Sequence, residues 1–397
     1  MKIKFWLIVL LTTIVSCGQT KVTELPIPLK GITDKTYSEE QETQINKVEN
    51  GLYPYNKGKI ETTWSIFERM EFYKVPAVSI AVINDYKVDW AKAYGWADKE
   101  NQIRATPQTL FQAASVSKSI NALGVLHWAE ENKIDINADV NYYLKSWKLE
   151  DSKKTNNDKV SIANLLSHTA GVSVNGFDGY EVGDKTPSTK QILDGKNPAN
   201  SRKVKSNAEP NKEFKYSGGG IVITQMVLED NVDIAYDDYM KKKILNPLGM
   251  MTSSFELPNS KNQLATGYWG KGNPLRGKYQ IHPEMSAAGL WTNPTELSKY
   301  IIEVQKSFNG ESNKLLSQSM TKKMLSSYLQ DGNTGLGVFI EYINDNKYFS
   351  HGGDNQGFKS YYYGSVEGGR GLVIMINSDN FNIVPEIINS VKKAYQW

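Results

Sequence analysis

Residues 111 to 120 read Phe-Gln-Ala-Ala-Ser-Val-Ser-Lys-Ser-Ile, and the rest of the chain can be interpreted from this stretch. Ser115 and Lys118 are three residues apart at the predicted start of a helix, which apolar residues at helical spacing continue to about Asn132. Because positions i and i+3 share one helix face, the hydroxyl and the ammonium can meet. A lysine beside a serine can take its proton or stabilise the alkoxide, and either effect activates the hydroxyl as a nucleophile. The spacing alone does not separate this chemistry from an ordinary solvated helix start.

The composition is typical of a globular chain. Of the 397 residues, 40% are hydrophobic and 22% are charged, which allows one large domain or two. The 46 basic and 43 acidic residues leave a net charge of +3, so no nucleic-acid partner is indicated. The sequence has four histidines and one cysteine but no P-loop, dinucleotide fingerprint, Gly-x-Ser-x-Gly elbow or His-Glu-x-x-His motif. It therefore predicts neither a metal nor a cofactor.

The first residues resemble the leader of an exported bacterial lipoprotein. Lys2 and Lys4 precede an apolar run from 5 to 15 that is too short to span a bilayer comfortably. Cys17 follows this run, and the small residues before it are similar to a lipobox. That resemblance implies a signal peptide over 1 to 16, lipidation of Cys17, and a location in the bacterial cell envelope, periplasmic or on the outer surface, with membrane contact through the lipid alone. An ordinary secretory signal that happens to contain a cysteine and an uncleaved anchor are the alternatives.

The remaining chain divides into a polar segment and one domain. Residues 17 to 58 are polar without a sustained period, which predicts a tether, and residues 59 to 397 form the predicted domain. Strand patterns at both ends with helical patterns between them predict an α+β fold. In it, N-terminal and C-terminal strands form one antiparallel sheet that is flanked by helices and interrupted by a mainly helical region. The predicted strands cover 77 to 83, 87 to 94, 336 to 343, 347 to 350, 358 to 365 and 371 to 377.

Tyr216 and Ser217 precede three glycines and an apolar helical segment. A phenol at a helix N-terminus lies at the positive end of the helix dipole, which favours the phenolate, and a phenolate can act as a base. The alternative is a turn in which the glycines permit close backbone approach while Tyr216 only packs, and the residues alone favour this alternative. The irregular insertion from 172 to 212 indicates either a substrate-binding flank or a surface loop.

His351, Gly352, Gly353 and Asp354 follow one another between two predicted strands. A histidine beside two glycines can approach a substrate closely, and backbone N–H groups there can bind an oxyanion. A single histidine is more often structural, so this motif alone does not establish a site.

Together, Ser115-Val116-Ser117-Lys118, Tyr216-Ser217-Gly218 and His351-Gly352-Gly353 come in the order of three active-site elements of one family. The chain resembles the serine β-lactamase-related hydrolases, which include class C β-lactamases, D-alanyl-D-alanine carboxypeptidases, D-aminopeptidases and esterases. The resemblance extends from about 61 to 395. Further stretches similar to family motifs are 165 to 171 (LLSHTAG), 247 to 250 (PLGM) and 288 to 291 (AGLW).

The resemblance implies a role for each matching residue. Ser115 would be the nucleophile, and Lys118 would share its proton and stabilise the deprotonated Tyr216. Tyr216 would act as general base and later as acid to the leaving group, and His351 would orient Tyr216 and the substrate. The backbone N–H groups of Ser115 and Asp354 would form the oxyanion hole.

Three other positions complete the implied site. Gly352 and Gly353 would line the substrate-binding site. His168 matches the family's Ser-His-Thr motif and is interpreted as structural. Where β-lactamases commonly read Tyr-x-Asn, this chain has Gly218, and where they read Lys-Thr-Gly it has a histidine and two glycines. These two departures remove a substrate-binding amide and a permanent cation, because a histidine is mostly neutral at pH 7.

The departures favour the peptidase and esterase branches of the family. The predicted function is therefore a serine hydrolase that forms an acyl-enzyme on a small ester or amide, including D-amino-acid-containing peptides. A class C-like β-lactamase is the first alternative, and a catalytically idle protein that binds β-lactams or peptidoglycan fragments is the second. The partners expected are a small molecule or short peptide, and the sequence does not indicate an oligomeric state.

Overall fold

An antiparallel sheet built from both ends of the chain forms the centre of the structure. The computed structural model describes residues 25 to 54, 62 to 259, 264 to 330, 332 to 343 and 345 to 397. Its main sheet runs in the order β1-β3-β2-β10-β9-β8-β7 with antiparallel neighbours, β4 pairs with β3, and β5 pairs with β6 separately. The strands are β1 (Ile32–Thr33), β2 (Ala77–Asn84), β3 (Lys87–Asp98), β4 (Ile103–Arg104), β5 (Phe111–Gln112), β6 (Trp291–Thr292), β7 (Phe339–Ile343), β8 (Asn346–Asn355), β9 (Phe358–Ser365) and β10 (Gly371–Ile376).

Helices cover both faces of this sheet. α1, α2 and α11 pack on one face, and a helical region that includes α3, α6 and α9 packs on the other. The predicted α+β fold, with end strands in one sheet and an inserted helical region, is therefore confirmed. The helices are α1 (Glu39–Glu49), α2 (Ile66–Tyr73), α3 (Ser117–Glu131), α4 (Ile162–Leu166), α5 (Thr189–Asp194), α6 (Gly218–Asn231), α7 (Tyr236–Met240), α8 (Asn246–Leu248), α9 (Pro294–Asn309), α10 (Gln318–Met324) and α11 (Ile383–Tyr395).

The central strands are apolar on both faces because both faces are covered. In β10, Leu372, Ile374 and Ile376 contribute to the core under α11, whereas Val373 and Met375 contribute to the core under the helical region. All five are fully buried. Such strands appear as continuous apolar runs in the sequence, which is why β2 and β10 could be predicted from residue type alone.

The predicted tether over 17 to 58 is wrong for the part from 32 to 52. There β1 pairs with β3, with Ile32 opposite Ala93, and α1 packs against α11. Helix α1 buries Ile45 and Val48 completely among otherwise polar residues. Two apolar residues one turn apart give a weak helical period, so burial against a distant helix, and not local pattern, determines this element.

Other predictions about the N-terminus concern residues outside the described part of the chain. The proposed signal peptide over 1 to 16 and the lipidation site Cys17 both lie there. Among the described residues, no helix is long and apolar enough to cross a membrane.

One strand is longer than predicted, and this changes the setting of the histidine motif. The sequence pattern ends a strand at Ser350, whereas β8 continues to Asn355, with His351 opposite Tyr362 on β9. The motif therefore lies within a strand and not between two strands. Glycines lower strand propensity, but the backbone hydrogen bonds to β9 hold this segment in place.

Candidate active site

Ser115 lies at the tip of a strained turn that leads into α3. A 3₁₀ turn over Ala114–Val116 connects β5 to the helix, and Ala113 N–H donates to the carbonyl of Leu290 at 2.8 Å. Ala114 has a φ of +49°, a left-handed conformation that residues with a side chain rarely adopt. Strained residues of this kind persist where the surrounding structure holds them, often at active sites. Here the pairing of β5 with β6 fixes the turn.

Lys118 reaches Ser115 as the spacing predicts. Its Nζ donates to Ser115 Oγ at 2.9 Å and to the carbonyl of Ala287 at 2.7 Å. The same nitrogen lies 5.1 Å from the centre of the Tyr216 ring. Lys118 is only 3% exposed, so its ammonium is held between a hydroxyl, a carbonyl and an aromatic face instead of water. The pair can thus share a proton and stabilise negative charge on Ser115 Oγ.

Tyr216 lies just before α6, as predicted, and is half-buried. Ser217 caps this helix, because its Oγ accepts from Gly220 N–H at 2.8 Å. A Cβ at Gly218 would lie 2.9 Å from the carbonyl oxygen of Asn175, so the glycine does permit close backbone approach. Both sequence interpretations therefore describe part of the structure: the glycines allow tight packing, and Tyr216 lines the same cavity as Ser115.

The imidazole ring of His168 packs against the ring of Tyr216. The two rings lie 4.3 Å apart at an angle of 36°, and His168 Nδ1 accepts from Ser217 N–H at 3.2 Å. Burial, with the nearby charge of Lys118, holds the pKa of His168 well below its usual value, so the ring is neutral. Its Nε2 has no hydrogen-bond partner among the described residues. This environment agrees with the structural role predicted for His168, at the end of α4 and the start of α6.

His351 is buried on β8 and is also neutral. Burial, together with Lys118, lowers the pKa of His351 to about 3. Its Nδ1 lies 2.6 Å from the carbonyl oxygen of Gly352, and because a carbonyl only accepts, Nδ1 carries the proton. The His351 ring lies 6.4 Å from that of Tyr216 and 5.1 Å from that of Phe339. His351 can therefore present an uncharged ring and an Nε2 acceptor, but not a cation.

Gly353 brings β8 against the turn that carries Ser115. A Cβ at Gly353 would lie 2.2 Å from both the carbonyl oxygen of Ala113 and Ser360 Oγ, so only glycine fits. Gly352 is different, because the nearest atom to a Cβ there would be 3.8 Å away. Strand β7 pairs with β8 only as far as Ser350. Beyond Ser350, β8 borders the cavity that Ser115 also lines.

The sequence-predicted residues line one cavity of about 520 Å³, called here the serine cavity. Those residues are Ser115, Lys118, Tyr216, His351, Gly352, Gly353 and Asp354. Asp354 lines the same cavity as Ser115, which is compatible with the predicted oxyanion hole; the oxyanion hole stays a prediction. Among the described residues, no group of three or more His, Cys, Asp or Glu side chains is placed to hold a metal ion.

Sequence reasoning missed several residues of the serine cavity. Three are aromatic and come from distant parts of the chain: Phe177, Phe339 and Phe381. A fourth, Lys359 on β9, is largely buried and forms ion pairs with Asp354 and with Asp379. Only Phe177 had a sequence signal, because it belongs to the insertion that was considered as a substrate-binding flank. The others depend on the pairing of β8 with β7 and β9 and on the loop before α11.

Comparison with known proteins agrees with this fold. The family profile named Beta-lactamase matches residues 65 to 387. Protein flp of Staphylococcus aureus (strain N315) is 24% identical over 322 residues, which cover 79% of this chain and 62% of that protein. The Unguisins hydrolase ungD' of Aspergillus campestris is 27% identical over 261 residues, covering 62% of this chain and 46% of that protein. The chain thus spans less than two thirds of the length of these curated relatives.

Solved structures of two other proteins have the same fold. The octameric penicillin-binding protein homologue from Pyrococcus abyssi superposes with a TM-score of 0.69 at 24% identity, covering 83% of this chain and 76% of that one. The D-amino acid amidase from Ochrobactrum anthropi SV3, complexed with D-phenylalanine, gives a TM-score of 0.69 at 19% identity, covering 90% and 99%. At these identities the likeness concerns the fold.

Proposed function

The chain belongs to the beta-lactamase family, and from this premise we propose that it is a serine hydrolase that forms an acyl-enzyme with a small ester or amide. One observation carries the proposal: Lys118 Nζ lies 2.9 Å from Ser115 Oγ in a cavity that Tyr216 also lines. A hydroxyl, a cation and a phenol that line one accessible cavity are the groups that acyl transfer requires.

The proposed reaction uses these groups in sequence. Ser115 Oγ attacks the substrate carbonyl while its proton passes to Tyr216, with Lys118 stabilising the negative charge. The backbone N–H groups of Ser115 and Asp354 bind the oxyanion of the tetrahedral intermediate. Tyr216 then gives the proton to the leaving oxygen or nitrogen as the bond to the carbonyl breaks. Water then attacks the acyl carbonyl while Tyr216 takes its proton, and Tyr216 returns that proton to Ser115 Oγ as the bond between the acyl group and Ser115 breaks.

The lining of the serine cavity supports a substrate with an apolar group near the reacting carbonyl. Phe177, Phe339 and Phe381 supply aromatic surface, and the neutral His351 supplies no charge for a substrate carboxylate. We propose esters and amides, including D-amino-acid amides and peptides, as the substrate class. The structural likeness to a D-amino acid amidase is compatible with this class.

A mass-spectrometric experiment tests the proposal. Purified wild-type protein and a Ser115→Ala variant are incubated with phenyl phenylacetate, D-phenylalanine amide and benzylpenicillin, and both protein mass and substrate loss are followed. Hydrolysis of the ester or amide by wild type alone is the expected result. Turnover of benzylpenicillin alone would favour the β-lactamase alternative, and a persistent Ser115 adduct without turnover of any compound would favour the idle binding protein. Equal hydrolysis by both proteins would refute Ser115 as nucleophile.

The location in the cell is a separate proposal that rests on the sequence. We propose that lipid on Cys17 attaches the protein to a membrane of the cell envelope. Fractionation of cells that express wild-type or Cys17→Ser protein tests it, because only the wild type should sediment with membranes. Retention of the Cys17→Ser variant in the membrane fraction would contradict a lipid anchor.

A further inference from the structure

A second cavity with a basic lining adjoins the serine cavity. It has a volume of about 860 Å³ and is called here the basic cavity, because its lining includes Arg202, Lys203, Lys205 and Lys215. No carboxylate among the described residues lines it. Lys203 is neutralised by Glu150 at 2.6 Å, whereas the structure gives the other three cations no ion pair within its described ranges. The cavity therefore has an excess of positive charge.

The backbone that presents these cations is fixed on both sides of the cavity. Lys205 N–H donates to Ser173 Oγ, and Ser173 N–H donates back to the Lys205 carbonyl, both at 2.9 Å. Lys215 N–H donates to the carbonyl of His168 at 2.8 Å, and that histidine packs on Tyr216. Two separate segments of chain thus bring these exposed cations together around one cavity.

Tyr216 determines how the basic cavity relates to the reaction. Tyr216, Asn175 and Gly176 line both cavities, so the two cavities adjoin at these residues. In the proposed reaction the leaving group takes its proton from Tyr216 and must lie within hydrogen-bond reach of that phenol. A leaving group larger than a few atoms would then extend past Tyr216 into the basic cavity.

We propose that the basic cavity binds the leaving-group side of the substrate and that this side bears a carboxylate. The inference rests on the proposed function and adds the charge of the preferred leaving group. An amino acid or peptide with a free carboxyl terminus, or a hydroxy acid, has the required chemistry. In the ester case the acyl–oxygen bond breaks, the acyl group stays on Ser115, and the leaving oxygen takes the proton that Ser115 lost.

Matched esters test this preference. Phenylacetyl esters of 3-hydroxybenzoate and of 3-hydroxybenzamide share the acyl group and differ in one leaving-group charge. A second pair, esters of 3-hydroxybenzoylglycine and its glycinamide analogue, extends the charge by one residue. We expect kcat/KM to favour the anionic member of at least one pair, and we expect this preference to decline as ionic strength rises. Equal kcat/KM within both pairs would overturn the proposal.

Charge removal assigns the preference to this cavity. Lys205→Gln and Lys215→Gln should each lower the ratio of anionic to neutral kcat/KM about threefold, and the double variant about tenfold, as expected for partly solvated ion pairs. Lys242→Gln, which removes an exposed lysine outside both cavities, is the matched control and should leave the ratio unchanged. A ratio that falls equally in the control would show a general charge effect and contradict the proposal.

A binding measurement separates this inference from the proposed function. If no ester is hydrolysed in a Ser115-dependent manner, the proposed function fails, and the subsite is tested by calorimetric titration of Ser115→Ala protein with 3-hydroxybenzoylglycine. Binding that the Lys205→Gln and Lys215→Gln substitutions together weaken about tenfold would support the anionic subsite. Absence of binding, or binding that is insensitive to both substitutions, would refute it.

Discussion

Tyr216 is the residue at which the two cavities and both proposals meet. Its ring is held by His168 on one side, and Lys118 Nζ lies 5.1 Å from its centre. Only the phenolic oxygen can exchange a proton, whereas the ring alone suffices for packing. The two interpretations of Tyr216 can therefore be separated by removing one atom.

We expect Tyr216→Phe to lower kcat/KM for a neutral ester by about 10² or more, the usual size for a lost general base. The ring contact with His168 remains, so the melting temperature should change little. Steady-state kinetics and thermal unfolding measure the two effects, and Tyr142→Phe, which alters an exposed tyrosine, is the control. A Tyr216→Phe enzyme within threefold of wild type would mean that Tyr216 only packs.

The sequence predicted which polar residues form the centre of the site, but not the backbone conformation and strand register that position the residues around it. Ser115 and Lys118 follow from helical spacing, because i and i+3 positions meet in any helix. The left-handed Ala114 could not be predicted, since no local signal marks a strained alanine and the pairing of β5 with β6 imposes it. Lys359 was equally hidden, because its proximity to Asp354 depends on strand register.

At the scale of elements, the site depends on how closely β8 approaches the 3₁₀ turn of Ser115. Gly353 makes this approach possible, because Ala113 and Ser360 occupy the space where a side chain would lie. Ser360 Oγ also donates to the Ala113 carbonyl at 2.7 Å, so β9 and the turn are joined at the same point. Any displacement of β8 here would shift Asp354 relative to Ser115.

We expect Gly353→Ala to reduce kcat/KM by about tenfold or more, because displacements of about 1 Å at a reacting centre have large effects. The Cβ must displace backbone as well as the Ser360 hydroxyl, so some loss of stability is also expected. Gly352→Ala is the matched control: its Cβ has open space, and activity should stay within a few-fold of wild type. Esterase kinetics on both variants check this; equal effects would contradict the close-approach argument.

The elements that were predicted well are those whose pattern is local. The apolar runs of β2 and β10 fall in this group. Helix α1 and the end of β8 were missed for a common physical reason. In both elements, polar residues or glycines interrupt the hydrophobic periodicity of the sequence. Long-range contacts with α11 or β9 stabilise these elements instead.

At the scale of the whole molecule, stability depends on histidines that the fold keeps neutral. Burial lowers the pKa of His282 to about 4 and that of His351 to about 3, and it also holds the pKa of His168 well below its usual value. In the unfolded chain these groups would protonate near pH 6.5. Between that pH and about 4 these three histidines therefore bind fewer protons in the folded protein than in the unfolded chain.

We expect the free energy of unfolding to decrease as pH falls from 6.5 towards 4, because unfolding takes up protons in this range. Each such histidine contributes a slope of about 1.4 kcal/mol per pH unit. Urea unfolding at intervals between pH 7 and 4.5 measures this decrease. His282→Gln, which removes one buried titrating ring, should make the decrease shallower, and an unchanged slope would contradict the role of burial.

Glu284 has the opposite dependence, and it lies just before the turn whose Ala287 carbonyl holds Lys118. Burial raises the pKa of the Glu284 carboxyl to about 7. At this one carboxyl the folded protein retains a proton that the unfolded chain has lost between about pH 4.5 and 7, so the contribution of Glu284 to stability decreases as pH rises through this range. This single group offsets part of the larger, opposite contribution of the three histidines. Once ionised, a buried carboxylate carries a desolvation cost that its neutral form avoids.

A neutral isostere at this position should remove that cost. We expect Glu284→Gln to raise the free energy of unfolding at pH 8.5 by up to about 3 kcal/mol. This is the free-energy equivalent of the rise in the pKa of Glu284 from 4.5 to about 7. At pH 4.5 the wild-type carboxyl is itself neutral, so the two proteins should be similarly stable there. Urea unfolding of both at the two pH values gives the comparison, with Glu311→Gln as a matched substitution of an exposed glutamate. A stabilisation of the same size at both pH values would indicate a packing effect, whereas destabilisation at pH 8.5 would mean that the ionised carboxylate has a compensating partner.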